Sequence, residues 1–286
     1  MQACISVSQC ACHFIHTREK KIRKGVPQLN ERLQRITEKM RQGKPVVGVF
    51  VLFADSSVSE IVGYSGCDFV WIDSEHGMMD RREIYHHVLA AQSAGACAFV
   101  RVPGVEYYQI KNTLDMGPDG IIFPFVNTPE IARQAVEACT YPADGGKRGI
   151  GPLRAIRYGL DNEPDYLRKA KDEVWKIFQI ESMEAVEHLD EIAAVPGYQS
   201  LFVGPADLGM SMTDVPPQDK PELIAQVQRR TARLAAENGK FCGSCAGPTK
   251  ASCMELVERG VQWMTIAQDA RIVSAYLSDA VRNINS

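Results

Sequence analysis

Short apolar runs alternate with amphipathic segments over most of this chain, and that alternation constrains the fold more than any other feature. The candidate strands are Val46–Phe53, Asp68–Asp73, Ala98–Val102, Gly120–Phe125, Val174–Glu181, Ser200–Val203, Lys240–Gly243 and Trp263–Ala267. Helical or alanine-rich stretches fall near 57–65, 81–94, 107–116, 128–140, 183–194, 221–238, 249–259 and 270–283. Strand-then-helix units in unbroken succession imply a parallel sheet. Eight units of about 30 residues fit an α/β fold of the closed (β/α)8 (TIM) barrel kind. The competing arrangement is an open doubly wound sheet. No G-x-G-x-x-G follows the first strand, so a dinucleotide-binding version of it has no support.

Upstream, Leu29, Leu33, Ile36 and Met40 recur at helical spacing, and Gly43 ends that helix. Residues 1–28 read as a poorly ordered N-terminal extension and 29–286 as a single domain. The extension holds Cys4, Cys10 and Cys12 beside His13 and His16, but lacks the paired C-x2-C spacing of a zinc knuckle. Nine cysteines without a secretory signal read as free thiols in a reducing compartment, so the cytoplasm is the expected location. The charge balance of 32 basic against 35 acidic residues gives no electrostatic footprint for nucleic acid. No run approaches 18 apolar residues, which argues against a membrane span. The remaining partner class is a small molecule.

The longest gap between candidate strands, about 141–172, is rich in glycine and carries Arg154 and Arg157. A loop of that length is either a mobile lid whose arginines meet an anionic substrate or a structural excursion into a short helix at 164–171.

In a barrel enzyme the chemistry sits at the C-terminal ends of the strands. There the sequence places Asp73-Ser74-Glu75-His76, Arg101, Gln179-Ile180-Glu181 and Gly204-Pro205-Ala206-Asp207. Glu181 and Asp207 are candidate ligands for Mg2+ or Mn2+, which two carboxylates hold with waters and substrate oxygens. On spacing alone, each equally well caps the helix after it. His76 lies in a turn within reach of solvent, where an imidazole suits proton transfer near neutral pH, and Asp73 is placed to orient it. Arg101 ends an apolar strand and suits a carboxylate or a developing enolate oxygen; an ion pair with a neighbouring strand is the alternative. A lysine Schiff base would need an inward-facing lysine. Lys176 is the candidate, but period-two alternation sets it on the face opposite Ile177, Gln179 and Glu181.

From about 45 to 280 the chain resembles the pyruvate-dependent metal aldolases of the HpcH/HpaI family. The matching stretches are Asp68–His76, Val100–Pro103, Leu114–Gly117, Tyr141-Pro142 through Arg148–Gly151, Gln179–Glu181 and Val203–Leu208. The resemblance implies a (β/α)8 barrel whose C-terminal helix is exchanged with a neighbour, in a homo-hexamer built as a trimer of dimers. It implies that Glu181 and Asp207 hold a divalent cation (Mg2+, Mn2+ or Co2+), which a 2-oxo acid chelates. Backbone N–H groups near Ala206 and Asp207 would bind the carboxylate, and Arg101 would steady the enolate oxygen. His76 would move protons through a water while paired with Asp115, with Asp73 and Gln179 supporting from behind. Three stretches depart from the family pattern: Ser74, Pro152, and Phe241–Gly247, a segment expected to line the aldehyde pocket from an adjacent subunit.

The function so implied is reversible retro-aldol cleavage of a 4-hydroxy-2-oxo acid, of the 2-keto-3-deoxy sugar acid or hydroxy-oxo-diacid type, to pyruvate and an aldehyde. A second reading keeps the same enolate but forms it by decarboxylating oxaloacetate. A third, a barrel that only binds or scaffolds, sits poorly with Asp73, His76, Arg101, Glu181 and Asp207 all being present.

Overall fold

The structure, a computed structural model, describes residues 31–286; the N-terminal cysteine–histidine cluster lies outside the described residues. Eight parallel strands close on themselves in chain order. They are β1 (Val46–Val51), β2 (Phe69–Asp73), β3 (Cys97–Arg101), β4 (Gly120–Phe123), β5 (Trp175–Ile180), β6 (Ser200–Val203), β7 (Phe241–Cys245) and β8 (Trp263–Gln268). The helices are α1 (Glu31–Arg41), α2 (Ser57–Tyr64), α3 (Arg81–Ser93), α4 (Tyr107–Asp115), α5 (Pro129–Cys139) and α6 (Glu163–Glu173). There follow α7 (Met183–Glu187), α8 (Leu189–Ala193), α9 (Pro205–Ser211), α10 (Lys220–Glu237), α11 (Lys250–Glu258) and α12 (Asp269–Asn285). The open doubly wound sheet is thereby ruled out.

Period-two alternation decides what fills the barrel. Phe69 and Trp71 of β2, Cys97 and Phe99 of β3, Trp175 and Ile177 of β5, Phe202 and Trp263 form one buried interior cluster. The rings meet across it: Trp71 lies 4.8 Å from Phe202, Phe69 5.3 Å from Trp263, and Phe99 5.8 Å from Trp175, centroid to centroid. The alternate residues Val70, Ile72, Ala98 and Val100 pack outward on α3. Continuing the inward series by two residues reaches Asp73, Arg101 and Gln179, so the same alternation that builds the core delivers polar groups to the mouth.

Helix α1 closes the other end. Leu33, Ile36 and Met40 belong to the interior cluster, and Arg32 pairs with buried Asp119 at 2.9 Å. Asp119 also accepts from Gln92 and from the Ala98 N–H, which ties α1, α3 and the start of β4 together.

Several boundaries differ from expectation. The helix expected over 183–194 is two short helices meeting at His188. The short helix α9 had no periodic signal. Strand β4 stops at Phe123 because Phe125 turns into the left-handed region (φ 46°), where a non-glycine residue is uncommon. Helix α12 buries only Asp269; its apolar residues Ile272, Val273, Tyr276, Leu277, Val281 and Ile284 are exposed. The six cysteines among the described residues are free thiols.

The loop after α5 leaves from the end of the barrel opposite the mouth and runs over the outside of α4. Buried Arg148 lies 4.6 Å over the Tyr141 ring and donates to Tyr166 Oη at 3.0 Å. Arg154 donates to the carbonyls of Met116 and Gly117 at 3.1 Å and to Gln92 Oε1 at 2.5 Å. Arg157 pairs with Asp161. Of the two readings of this loop, the structural excursion describes these arginines: within the chain, Arg154 satisfies the C-terminal carbonyls of α4 and does not reach the mouth.

Candidate active site

At the mouth, Asp73 and Arg101 are direct partners in the β2–β3 register. Both are buried, and the guanidinium grips the carboxylate with two bonds, Nε to Oδ1 at 3.0 Å and Nη2 to Oδ2 at 2.5 Å. Asp73 Oδ1 also accepts the N–H groups of Glu75 and His76, at 3.0 and 3.3 Å. Asp73 therefore folds the β2–α3 turn back over the strand ends. The Arg101 guanidinium additionally faces Glu75 Oε2 at 2.8 Å and Gln179 Oε1 at 3.4 Å. It lies 5.6 Å from the centroid of the Trp71 ring, so aromatic packing fixes its plane from below.

Glu181 follows β5 and is 1% exposed. Its Oε2 accepts from Gln179 Nε2 at 2.7 Å, and its Oε1 from the Phe125 N–H at 2.9 Å. The left-handed turn at Phe125 is what aims that N–H. Burial pushes the Glu181 carboxyl up to about 7, with Glu75 and Asp207 adding to the rise while the Phe125 N–H and Arg101 oppose it. Glu75 is likewise raised, chiefly by burial and against the pull of Arg101. Asp207 stands in the first turn of α9 and is near enough to act electrostatically on both. His76 is mostly exposed, with Nε2 3.8 Å from Glu75 Oε2.

The mouth thus gathers Asp73, Glu75, Glu181 and Asp207 around a single guanidinium. Such a surplus of carboxylates is costly unless a cation or protons offset it. Among the described residues no three His, Cys, Asp or Glu side chains cluster as a metal ligand set. A cation here would rest on two carboxylates and take its other oxygens from water and substrate, the mode that suits Mg2+ and Mn2+.

The structure brings together Asp73, His76, Arg101, Gln179, Glu181, Ala206 and Asp207, all in or directly after the mouth ends of strands. It does not bring Asp115 to them within one chain. Asp115 is the last residue of α4, which runs from the mouth back to the opposite end, and its charged neighbours are Arg148, Lys111 and Arg81. Lys176 turns to the helix layer, where its Nζ donates to the Lys171 carbonyl at 2.8 Å. In its own chain Cys245 packs on the barrel interior, with Arg101, Glu181 and Asp207 as charged neighbours. Burial pushes its thiol up to about 11. Sequence reasoning placed Glu75 at the mouth but gave it no role, although its place in the same turn as His76 was a signal. It missed Phe125, whose contribution is a backbone N–H that no residue type announces.

A closed (β/α)8 barrel with acids, an arginine and a histidine at the strand C-termini has the layout of a barrel enzyme. The profile of the HpcH/HpaI aldolase/citrate lyase family matches residues 46–270. The chain is 33% identical over 246 residues to the hydroxypyruvate/pyruvate aldolase of Deinococcus radiodurans, covering 84% of this chain and 88% of that protein. It is 34% identical over 229 residues to the 2-dehydro-3,6-dideoxy-6-sulfogluconate aldolase of Pseudomonas putida, covering 80% and 88%. The crystal structure of an HpcH/HpaI aldolase from Desulfitobacterium hafniense DCB-2 superposes with a TM-score of 0.80 at 29% identity, covering 87% of this chain and 96% of that one. The chain belongs to the HpcH/HpaI aldolase/citrate lyase family, and is a carbon–carbon lyase.

One glycine at the mouth is required by space. A Cβ on Gly204 would lie 2.5 Å from Glu181 Oε2 and 2.9 Å from Glu181 Cβ. Gly204→Ala is therefore expected to displace the Glu181 carboxylate while leaving the barrel folded. Cleavage activity should fall roughly 100-fold, the usual cost of a reacting geometry shifted by about 1 Å. Steady-state kinetics beside a circular-dichroism melt would check both halves.

Proposed function

We propose that this enzyme is a divalent-metal aldolase that cleaves a 4-hydroxy-2-oxo acid to pyruvate and an aldehyde, reversibly. The observation that carries the reading is the carboxylate surplus at the mouth, with Glu181 buried and directed by two hydrogen bonds. Glu181 and Asp207 would hold the cation (Mg2+, Mn2+ or Co2+), which supplies Lewis-acid stabilisation of negative charge on the 2-oxo group.

The remaining work falls to the chain. Breaking the C3–C4 bond leaves its electron pair on the pyruvate fragment as an enolate, while the C4 oxygen becomes the aldehyde carbonyl and loses its proton. Arg101, held in plane by Asp73, donates toward the enolate oxygen and so binds the transition state more tightly than the ground state. The N–H groups of Ala206 and Asp207 would receive the substrate carboxylate. Gln179 keeps Glu181 and Arg101 in register by donating to one and accepting from the other. His76, exposed on its turn, takes the C4 hydroxyl proton through a water, and C3 is protonated to give pyruvate.

A partnership of His76 with Asp115 then requires Asp115 from a second copy. That requirement agrees with a hexamer built as a trimer of dimers, as does α12, whose exposed apolar stripe suits exchange onto a neighbour. The test is pyruvate formation from a 4-hydroxy-2-oxo acid. We expect EDTA to abolish it and Mn2+ to restore it; steady cleavage in EDTA would overturn the reading.

A further inference from the structure

We propose that Glu75 carries a proton between His76 and C3 of the pyruvate enolate, the step that turns the cleaved fragment into pyruvate. The inference rests on the aldolase reading above and deepens it, because that reading leaves C3 without a named proton donor. The backbone fixes where Glu75 stands. Its N–H is held by Asp73 Oδ1 at 3.0 Å. Ser74, just before it, binds the Arg101 carbonyl with its N–H at 3.0 Å and with its hydroxyl at 2.5 Å. Gly77, just after His76, passes so close to β2 that a Cβ there would meet the Asp73 carbonyl oxygen at 2.2 Å. The turn is therefore pinned to the ends of β2 and β3 on both sides of Glu75.

The other acids of the mouth have work already. Asp73 has both oxygens bonded to Arg101, and Oδ1 accepts two backbone N–H groups as well. Glu181 accepts on both oxygens, from the Phe125 N–H and from Gln179, and with Asp207 it is the pair assigned to the cation. Glu75 Oε2 is buried, and among the described residues no group donates an aligned hydrogen bond to it. Arg101 Nη1 lies 2.8 Å away as an ion-pair contact. His76 Nε2 lies 3.8 Å from the same oxygen. The two side chains differ in exposure, 13% for Glu75 and 61% for His76, so the pair leads from solvent into the mouth.

Arg101 ties this pair to the reacting carbon. The guanidinium that donates toward the enolate oxygen on C2 also touches Glu75, which brings the Glu75 carboxylate beside C3, one bond further on. A relay group needs affinity for the proton it passes. Burial raises the Glu75 carboxyl above its ordinary value, with Asp73 and Asp207 adding to the rise and Arg101 and His76 opposing it. The steps balance. As the C3–C4 bond breaks, the C4 hydroxyl loses its proton to His76. His76 hands that proton to Glu75 Oε2. Glu75 hands it to C3, where the electron pair of the broken bond takes it. Both side chains end as they began. Run backwards on pyruvate alone, Glu75 takes a methyl proton and His76 exchanges it with solvent.

The experiment uses the full-length chain with Mn2+ and two readouts. The first is exchange of the pyruvate methyl protons with D2O, followed by NMR, which reads the Glu75 step without any aldehyde. The second is rapid-quench cleavage of 4-hydroxy-2-oxopentanoate, with aldehyde and pyruvate followed separately. Glu75→Gln keeps an oxygen to face Arg101 but cannot relay a proton, so exchange should fall about 100-fold or more. The C3–C4 bond breaks before Glu75 acts, so the variant should still release a first-turnover burst of about one aldehyde per site, with pyruvate lagging behind it. Glu75→Asp, one methylene shorter, should keep the burst and recover part of the exchange. Exchange at the parental rate in Glu75→Gln would overturn this proposal and leave the aldolase reading standing. Loss of the burst together with exchange would make Glu75 a support for Arg101 and overturn the relay likewise. A parent that neither cleaves nor exchanges would overturn the aldolase reading and the relay with it.

Discussion

Replacing Glu181 by glutamine is expected to lower kcat for carbon–carbon cleavage by roughly 100- to 1,000-fold, as losing one preorganised stabiliser of transition-state charge does. The amide is nearly isosteric and its oxygen still accepts from the Phe125 N–H, while its NH2 no longer accepts from Gln179, so the loss reports the charge together with that one contact. A stability readout separates the two. The Glu181 carboxyl stands at about 7 in the folded chain against an ordinary 4.5. The folded state therefore holds its proton more tightly than the unfolded one. The stabilisation that follows is complete below about pH 4.5 and disappears as pH rises through about 7. At about 1.4 kcal/mol per pH unit, up to about 3 kcal/mol is at stake. Metal-free Glu181→Gln should thus melt close to the parent at pH 5 and above it at pH 8. Cation binding has to release the same proton, so affinity in the parent should climb with pH up to about 7 and flatten beyond it, a slope the variant should lack. A parent and variant with parallel Tm profiles would contradict this account of Glu181.

Arg101→Lys is expected to cost about as much, again roughly 100- to 1,000-fold in kcat, although the charge is kept. The reason is geometric. The guanidinium spends Nε and Nη2 on Asp73, faces Glu75 and Gln179 with Nη1, and lies over Trp71. An ammonium can occupy one of these positions but not all of them. Asp73 would lose its fork and with it the hold on the turn that carries His76, so the pH–rate profile should shift along with kcat. A lysine variant with near-parental kcat would show that positive charge alone suffices.

Much of the barrel was legible because its periodicities are regular. Period-two alternation in β2, β3 and β5 sets both the interior rings and the inward aim of Asp73, Arg101 and Gln179. It also sets Lys176 on the opposite face, away from the mouth. What stayed hidden depends on contacts between distant residues. The left-handed turn at Phe125 exists because Glu181, in another strand unit, accepts its N–H. Arg154 looked like a substrate group because a loop sequence does not reveal that its guanidinium lands on the carbonyls ending α4. Asp115 carries a family pattern, but a pattern does not reveal that the residue ends α4, away from the mouth of its own barrel. The boundary between α7 and α8, and helix α9 itself, are too short for helical spacing to register.

The tie between Asp269 and the first loop has a consequence for how the chain is made. One carboxylate accepts the N–H groups of Leu52 and Phe53, each at 2.9 Å, across more than 200 residues, and the seam it crosses joins the last strand to the first. The ribosome therefore releases seven strands with two open edges before the eighth can shut them. During that interval the ring of Phe69, Trp71 and Trp263 is incomplete, and a bare β1 edge is available to any partner strand. A nascent chain stopped between residues 207 and 263 has every catalytic candidate already synthesised and still no finished vessel to hold them.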